Sequence, residues 1–134
     1  MDSVINIWLE ASIISHNFIE KEFWMSKIDD MKEKYIPNSE TYVYERNNMI
    51  LGFFSLFENR LAAIFVSPRF QNQGIGKEMI SQAKLLRKKL SLTVYKKNIK
   101  SVLFYESIGF ERAGESIDEI TNQMEIKMEW QCID

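Results

Sequence analysis

The chain has 134 residues, which is enough for one domain with a buried core and too few for two domains of ordinary size. Hydrophobic residues make up 46% of it and aromatic residues 13%, as in compact globular proteins and unlike disordered chains. The formal net charge of −2 provides no excess of basic residues for a nucleic-acid partner. We therefore predict a single domain over residues 1–134 and no nucleic-acid partner.

Cysteine usage and apolar stretches indicate the cellular location. Cys132 is the only cysteine, so no intramolecular disulfide can form, which suits a reducing compartment. No stretch approaches the roughly 20 apolar residues of a transmembrane helix, and the N-terminus has no basic segment followed by an apolar run. We expect a cytoplasmic protein with no membrane partner.

The first third of the chain changes from helical to strand periodicity. Apolar residues recur at helical spacing in two segments, Ile5, Trp8, Leu9 and Ile13 in the first and Trp24, Ile28, Met31 and Tyr35 in the second. Ser26 and Asp29 form a predicted capping pair for the second helix, and Pro37 ends it. Residues 41–46 and 49–57 then favour two strands joined by a tight turn at Asn47 and Asn48.

The remaining elements alternate between strands and helices. The continuous apolar run over residues 61–66 predicts a strand covered on both faces, and a helical stripe follows it from Ile75 to Leu90. A strand over 90–95, a helix over Ile99–Ser107 and strands over 110–117 and 123–130 complete the chain. The predicted fold class is α/β (α+β), a mixed central sheet flanked by helices in the order α-α-β-β-β-α-β-α-β-β.

The segment between residue 66 and the following helix has the character of an anion site. Gly74 and Gly76 permit a sharp bend and a close approach of a ligand to the backbone. The next helix presents unpaired N–H groups and its positive end there, which suits a pyrophosphate. A Walker loop and a dinucleotide fingerprint are excluded, because the Gly-Lys-Ser/Thr sequence and the third glycine are missing. A glycine turn without a ligand is the alternative.

Two motifs together resemble the GNAT superfamily of N-acetyltransferases. Gln-x-x-Gly-x-Gly at residues 71–76 resembles its acetyl-CoA pyrophosphate loop. Residues 98–110, NIKSVLFYESIGF, are similar to its second signature, Asn-x-x-(Ser/Ala)-x-x-Phe-Tyr-x-x-x-Gly-Phe. The resemblance covers residues 51–110, extends in element order to residue 130, and looks like a small single-domain bacterial member. It implies a mostly antiparallel sheet and acetyl-CoA as cosubstrate, without a metal.

The resemblance also implies roles for individual residues. The implied cofactor-binding residues are Phe65, Val66, Gln71, Asn72, Gln73, Gly74, Ile75, Gly76, Lys77, Asn98 and Tyr105. Tyr105 would be the general acid that protonates the coenzyme A thiolate, or alternatively an aromatic packed on its helix. Asn98 would contact the pantetheine arm, and an N-cap role is compatible with this contact.

The resemblance does not supply a general base. Many protein-directed members carry a glutamate where Thr93 falls here. His16 lies in a stretch similar to the opening of some small bacterial members, and it is a candidate base or substrate contact, with a purely structural histidine as the alternative. Glu20, Glu22 and Tyr35 are further candidates for binding a cationic acceptor.

The predicted function is transfer of an acetyl group from acetyl-CoA to a primary amine by direct attack in a ternary complex. A small-molecule acceptor is favoured over a protein. Two alternatives remain open: an acyl-CoA-binding sensor or assembly module of the same fold, and a nucleotide-binding protein of another fold. Family members usually begin with a strand before the first helix, and no such strand is predicted in this chain. The sheet edge exposed by its absence suggests a homodimer.

Overall fold

The computed structural model of the protein describes residues 2–133. Its elements in chain order are α1 (Asp2–Ser15), α2 (Lys21–Ser26), α3 (Ile28–Asp30), a π-helical turn (Met31–Tyr35), β1 (Glu40–Arg46), β2 (Met49–Phe57), β3 (Arg60–Val66), a 3-10 turn (Pro68–Phe70), α4 (Ile75–Leu86), β4 (Lys89–Tyr95), α5 (Ile99–Ser107), β5 (Glu111–Asp118) and β6 (Gln123–Gln131). No helix among these residues is both long enough and apolar enough to cross a membrane.

The six strands form one sheet in the order β1-β2-β3-β4-β6-β5. All neighbouring strands run antiparallel except β3 and β4, which are parallel. Their registered pairing is confined to Arg60 and Ser91 at the start of β3, so the two strands separate beyond that point. The structure thus confirms the predicted mixed, mostly antiparallel sheet. The separation of β3 and β4 leaves a gap in the middle of this sheet.

Helices cover both faces of this sheet. On one face, α4 and α5 contribute Ile75, Met79 and Val102 to a core that contains Leu92 and Met128 from the strands. On the other face, α1 and α2 pack with Phe53 of β2 in a second core. The adjacent residues Phe53 and Phe54 of β2 enter different cores, because successive residues of a strand point to opposite faces. Within residues 2–133 no strand precedes α1, and β1 forms one edge of the sheet.

The second helical segment differs from the prediction. It is broken into α2, α3 and the π-helical turn. The predicted cap of Ser26 with Asp29 is wrong: the Ser26 hydroxyl donates to the Phe23 carbonyl, 2.6 Å away, inside the preceding turn. This bond back to the third preceding residue is a known competitor of helix capping for serine. The predicted apolar stripe also does not extend to the end of this segment, since Tyr35 is 58% exposed.

The strand β3 also differs from its prediction as a strand covered on both faces. Leu61 is buried, but Ala62 is exposed and residues 63–66 are only half-buried. The reason is the separation of β3 from β4, which removes a neighbour along most of its length. The predicted turn at Asn47 and Asn48 is confirmed, with φ angles of 53° and 65°.

Candidate active site

A cleft of about 800 Å³ lies where β3 and β4 separate. Its walls come from β3, from the loop and helix start at residues 70–77, from β4 and from the start of α5, and the end of α1 closes one side. Trp24 of α2 and Glu125 of β6 line it as well, so residues from seven separate parts of the chain meet at one gap in the sheet. Every residue that the sequence implied as a cofactor contact, except Gln73, lines this cleft.

The backbone of β3 is oriented by its pairing with β2. The Ser67 N–H donates to the Leu51 carbonyl of β2, 2.8 Å away. Because successive backbone groups of a strand point to opposite sides, those of Phe65 also face β2, and those of Val66 face the cleft. The Val66 carbonyl accepts a hydrogen bond there from Nε2 of Gln71 at 3.2 Å. Val66 can thus offer its N–H to a ligand, whereas Phe65 contributes its side chain.

The start of α4 is built as an anion site. Gly74 is the N-cap residue with a φ of 83°, and its carbonyl accepts the N–H of Glu78 at 3.0 Å. The N–H groups of the first helical turn have no partner within the helix. A Cβ atom added to Gly74 would meet nothing within 4 Å, so the space in front of this turn is open. Backbone donors, a helix start and open space together fit a pyrophosphate group.

Cationic side chains lie in the cleft and beside this loop. Lys77, Lys97 and Lys100 line the cleft. Arg46 at the end of β1 donates from Nη1 to Oε1 of Gln73 at 3.3 Å, which brings a further positive charge beside the loop. No sequence pattern indicates this role of Arg46, since it precedes Gln73 by 27 residues and reaches it only through the strand pairing.

Tyr105 lies in the same cleft on α5. Its ring packs against Phe104 and Phe110, with centroid distances of 5.4 Å and 5.8 Å. Burial raises the pKa of Tyr105 above its ordinary value of 10.0, so the phenol stays protonated at neutral pH. No hydrogen bond within residues 2–133 occupies its hydroxyl group, which leaves the proton available for a ligand in the cleft.

His16 and Asn98 meet at the side of the cleft where α1 ends. Their Nε2 and Nδ2 atoms are 3.2 Å apart. Asn98 is the N-cap residue of α5, but its side chain makes no capping bond and contacts His16 instead. His16 is 9% exposed, and burial lowers its pKa from 6.5 to about 4, so its ring is neutral at physiological pH. Its Nδ1 atom has no hydrogen-bond partner within the described residues.

Aromatic side chains enclose His16. The ring centroids of Tyr95, Trp24 and Phe18 lie 5.1 Å, 5.2 Å and 5.9 Å from its own. Tyr95 donates its hydroxyl to Oδ2 of Asp118 at 3.1 Å, and burial is the main cause that raises its pKa to about 12. These contacts hold the wall of the cleft in place through strands β4 and β5.

The sequence profile of the acetyltransferase (GNAT) domain matches residues 10–132. The chain belongs to this family. A curated relative, the peptidyl-lysine N-acetyltransferase YiaC of Escherichia coli K12, is 34% identical over 111 residues, which are 82% of this chain and 76% of YiaC. The nucleotide-binding alternative with another fold is thereby excluded, and the predicted acetyltransferase is confirmed.

Solved structures agree with this assignment at the level of fold. Apo-YjaB from Escherichia coli superposes with a TM-score of 0.85 at 21% identity, covering 98% of this chain and 91% of YjaB. The PaiA N-acetyltransferase of Thermoplasma acidophilum, solved in complex with coenzyme A, gives a TM-score of 0.80 at 19% identity, covering 97% and 91% of the two chains.

The remaining predicted residues of this GNAT acetyltransferase lie elsewhere. The side chains of Glu20, Glu22 and Tyr35 are exposed, and none of the three is among the described residues that line the cleft. Glu125 of β6, which the sequence did not suggest, does line it. Strict alternation predicts that Glu125 lies on the opposite face from Ile126, but the pairing of β6 with β4 cannot be read from the chain.

Proposed function

We propose that this acetyltransferase transfers the acetyl group of acetyl-CoA to a lysine side chain of a protein, by direct attack in a ternary complex. One observation carries the cofactor half of the proposal: the Val66 backbone, the start of α4 and the Tyr105 ring all line one cleft between diverging strands. The pantetheine arm would lie along β3 as an added strand, and the pyrophosphate would bind the N–H groups of residues 75–77.

The chemistry requires no covalent intermediate on the enzyme. The amine nitrogen attacks the thioester carbonyl, and the Val66 N–H would stabilise the oxygen that becomes negative. As the carbon–sulfur bond breaks, Tyr105 would donate its proton to the thiolate. The phenol of Tyr105 carries its proton at every physiological pH, because burial raises its pKa above the ordinary value of 10.0.

A protein acceptor is supported by the relative YiaC, whose name describes a peptidyl-lysine N-acetyltransferase. It is supported also by the surface beside the cleft. Strand β5 is exposed over residues 111–117, so the sheet face next to the cleft lacks the enclosing walls that small-molecule pockets have. This proposal departs from the small-molecule acceptor that the sequence favoured.

Charge on this open face suits a lysine-bearing segment. Strand pairing places Glu125 of β6 and Asp118 of β5 on the same face, close to the cleft. Glu111 and Glu129 lie further along this face, outside the cleft, together with Lys89 and Lys127. The two carboxylates close to the cleft give a negative surface next to its acceptor end. Such a surface attracts basic segments and disfavours acidic ones.

The test is an acetylation assay with matched acceptors. The purified protein is incubated with acetyl-CoA and a peptide that has blocked ends and a single lysine, with the same peptide carrying arginine instead, and with spermidine. We expect mass spectrometry to detect acetylation of the lysine peptide alone. A larger kcat/KM for spermidine than for the lysine peptide would contradict a protein acceptor. Absence of acetyl-CoA binding, measured by calorimetry, would contradict the cofactor half as well.

A further inference from the structure

Glu125 shares a sheet face with Thr93. In the antiparallel pairing of β4 with β6, Tyr95 is opposite Glu125 and Thr93 is opposite Lys127. Residues opposite each other share a face, as do residues two apart in one strand. Glu125 is therefore the diagonal neighbour of Thr93, a relationship that corresponds to about 7–8 Å between Cα atoms.

Thr93 is the position where the family resemblance implies a glutamate and this chain has none. A threonine hydroxyl cannot accept a proton from an ammonium group at neutral pH, so Thr93 cannot take the place of that glutamate. Glu125 is the only carboxylate among the described residues that line the cleft. Glu125 lies on β6, the strand next to β4, and provides on the same face of the sheet the carboxylate that Thr93 lacks.

The carboxylate of Glu125 is available, whereas that of its neighbour Asp118 is occupied. Asp118 accepts hydrogen bonds from the Tyr95 hydroxyl, the Thr121 hydroxyl and the Ile120 N–H, at 3.1 Å, 2.9 Å and 3.1 Å. No hydrogen bond or ion pair within residues 2–133 occupies the half-buried Glu125. Burial, followed by the charge of Asp118, raises the pKa of Glu125, which makes it a stronger base than a solvated glutamate.

His16 is less suited to accept the proton. Its Nε2 atom already contacts the Asn98 amide, and its ring is 9% exposed among three aromatic side chains. A neutral imidazole with a pKa of about 4 is also a weak acceptor. The geometry therefore separates the two groups: His16 orients Asn98, and Glu125 is open to the cleft.

We propose that Glu125 is the general base of this enzyme, taking a proton from the acceptor ammonium directly or through one water. This inference rests on the proposed acetyl transfer. The ammonium gives one proton to Glu125, and the free amine then attacks the thioester carbonyl. When the carbon–sulfur bond breaks, Tyr105 gives its proton to the sulfur and is reprotonated by the second proton lost from nitrogen. Glu125 releases its proton to solvent, which completes the balance.

The charged or titratable groups that face Glu125 come from several elements. Asp118 of β5 and Tyr95 of β4 interact with it electrostatically. Lys127 lies two residues along its own strand, and Lys97 and His16 line the same cleft. Burial and then the charge of Asp118 raise the pKa of Glu125. The wild-type rate should rise with pH as Glu125 loses its proton, and then level off.

The test compares Glu125→Gln with Glu129→Gln. Glu129 lies on the same strand and the same face but is exposed and outside the cleft. Rates are measured with the blocked lysine peptide and with butylamine, so that the result does not depend on acceptor size. We expect Glu125→Gln to lower kcat about 100-fold at pH 7, with the same Kd for acetyl-CoA by calorimetry. Glu129→Gln should keep the wild-type kcat.

The pH profile distinguishes a base from a structural residue. Without a base, the rate should follow the free-amine fraction and rise steadily towards the amine pKa of about 10.4. The Glu125→Gln deficit should therefore shrink as pH rises. A deficit that stays constant with pH, or a kcat within twofold of wild type, would overturn the assignment of Glu125 alone. A wild-type protein that acetylates neither amine would overturn the proposed function itself.

Discussion

The Nε2 atom of His16 lies 3.2 Å from the Nδ2 atom of Asn98, which follows it by 82 residues. An amide nitrogen can only donate, so in this orientation the imidazole accepts and carries its own proton on Nδ1. The Oδ1 atom of Asn98 is then left to accept a hydrogen bond in the cleft. One histidine from the turn after α1 thereby fixes the orientation of a residue predicted to bind the pantetheine arm.

A double-mutant cycle tests this coupling. His16→Leu removes the acceptor, and we expect the Kd for acetyl-CoA to rise about fivefold, as for the loss of one net hydrogen bond of about 1 kcal/mol. His16→Gln keeps a hydrogen-bond acceptor, so its affinity for acetyl-CoA should fall less. Combined with Asn98→Ala, His16→Leu should add little, because both changes remove one interaction. If the fold increases in Kd of the two single variants multiply to give that of the double variant, the two residues do not act together.

The buried neutral His16 makes stability depend on pH. Its pKa is about 4 in the folded chain and 6.5 when unfolded, so the unfolded chain binds more protons between these values. The free energy of unfolding should therefore fall as pH decreases from 6.5 towards 4, by about 3 kcal/mol from this group. Above pH 6.5 the His16 ring is neutral in both the folded and the unfolded chain, so it no longer makes the free energy of unfolding depend on pH.

Urea unfolding of wild type and His16→Gln at several pH values measures this contribution. Carboxylates titrate in both proteins, so their shared contribution cancels in the difference. We expect the stability advantage of the wild type at pH 7 to shrink steadily below pH 6.5. A difference between the two proteins that does not change with pH would mean that His16 is not held neutral by burial.

The conformation of Gly74 gives a prediction for cofactor binding. With a φ of 83°, an alanine at this position strains the backbone by about 1–2 kcal/mol. Because the N–H groups of α4 then lose their alignment, we expect the Kd for acetyl-CoA to rise about tenfold in Gly74→Ala. Gly114→Ala is the matched control, since an added Cβ there also meets nothing within 4 Å. Equal Kd values for the two variants would argue against a pyrophosphate at this turn.

The sequence predicted those parts of the site that lie within one continuous segment. The loop at residues 71–76 and the helix with Tyr105 have local motifs, because a turn and the helix after it form together. Arg46, Glu125 and the contact of His16 with Asn98 depend on strand order and on pairings between distant segments. Periodicity assigns a residue to a face but does not identify its neighbours across the sheet. Local sequence also does not predict that the second helix breaks after Ser26. A serine hydroxyl can cap the following helix or bond to the preceding turn, and that of Ser26 bonds to the Phe23 carbonyl.

Tyr105 provides the most direct test of the chemical step. Tyr105→Phe keeps the ring that packs on Phe104 and Phe110 and removes only the proton donor. We expect kcat to fall about 100-fold or more, the range of general acid catalysis, while the Kd for acetyl-CoA stays unchanged. Tyr42→Phe, on the exposed β1 strand, is the control for loss of a phenol hydroxyl and should keep full activity. Because burial raises the pKa of Tyr105, the wild-type rate should show no decline from its ionisation up to about pH 10. A variant that keeps kcat but binds acetyl-CoA weakly would make Tyr105 a packing residue, and the thiolate would then take its proton from solvent.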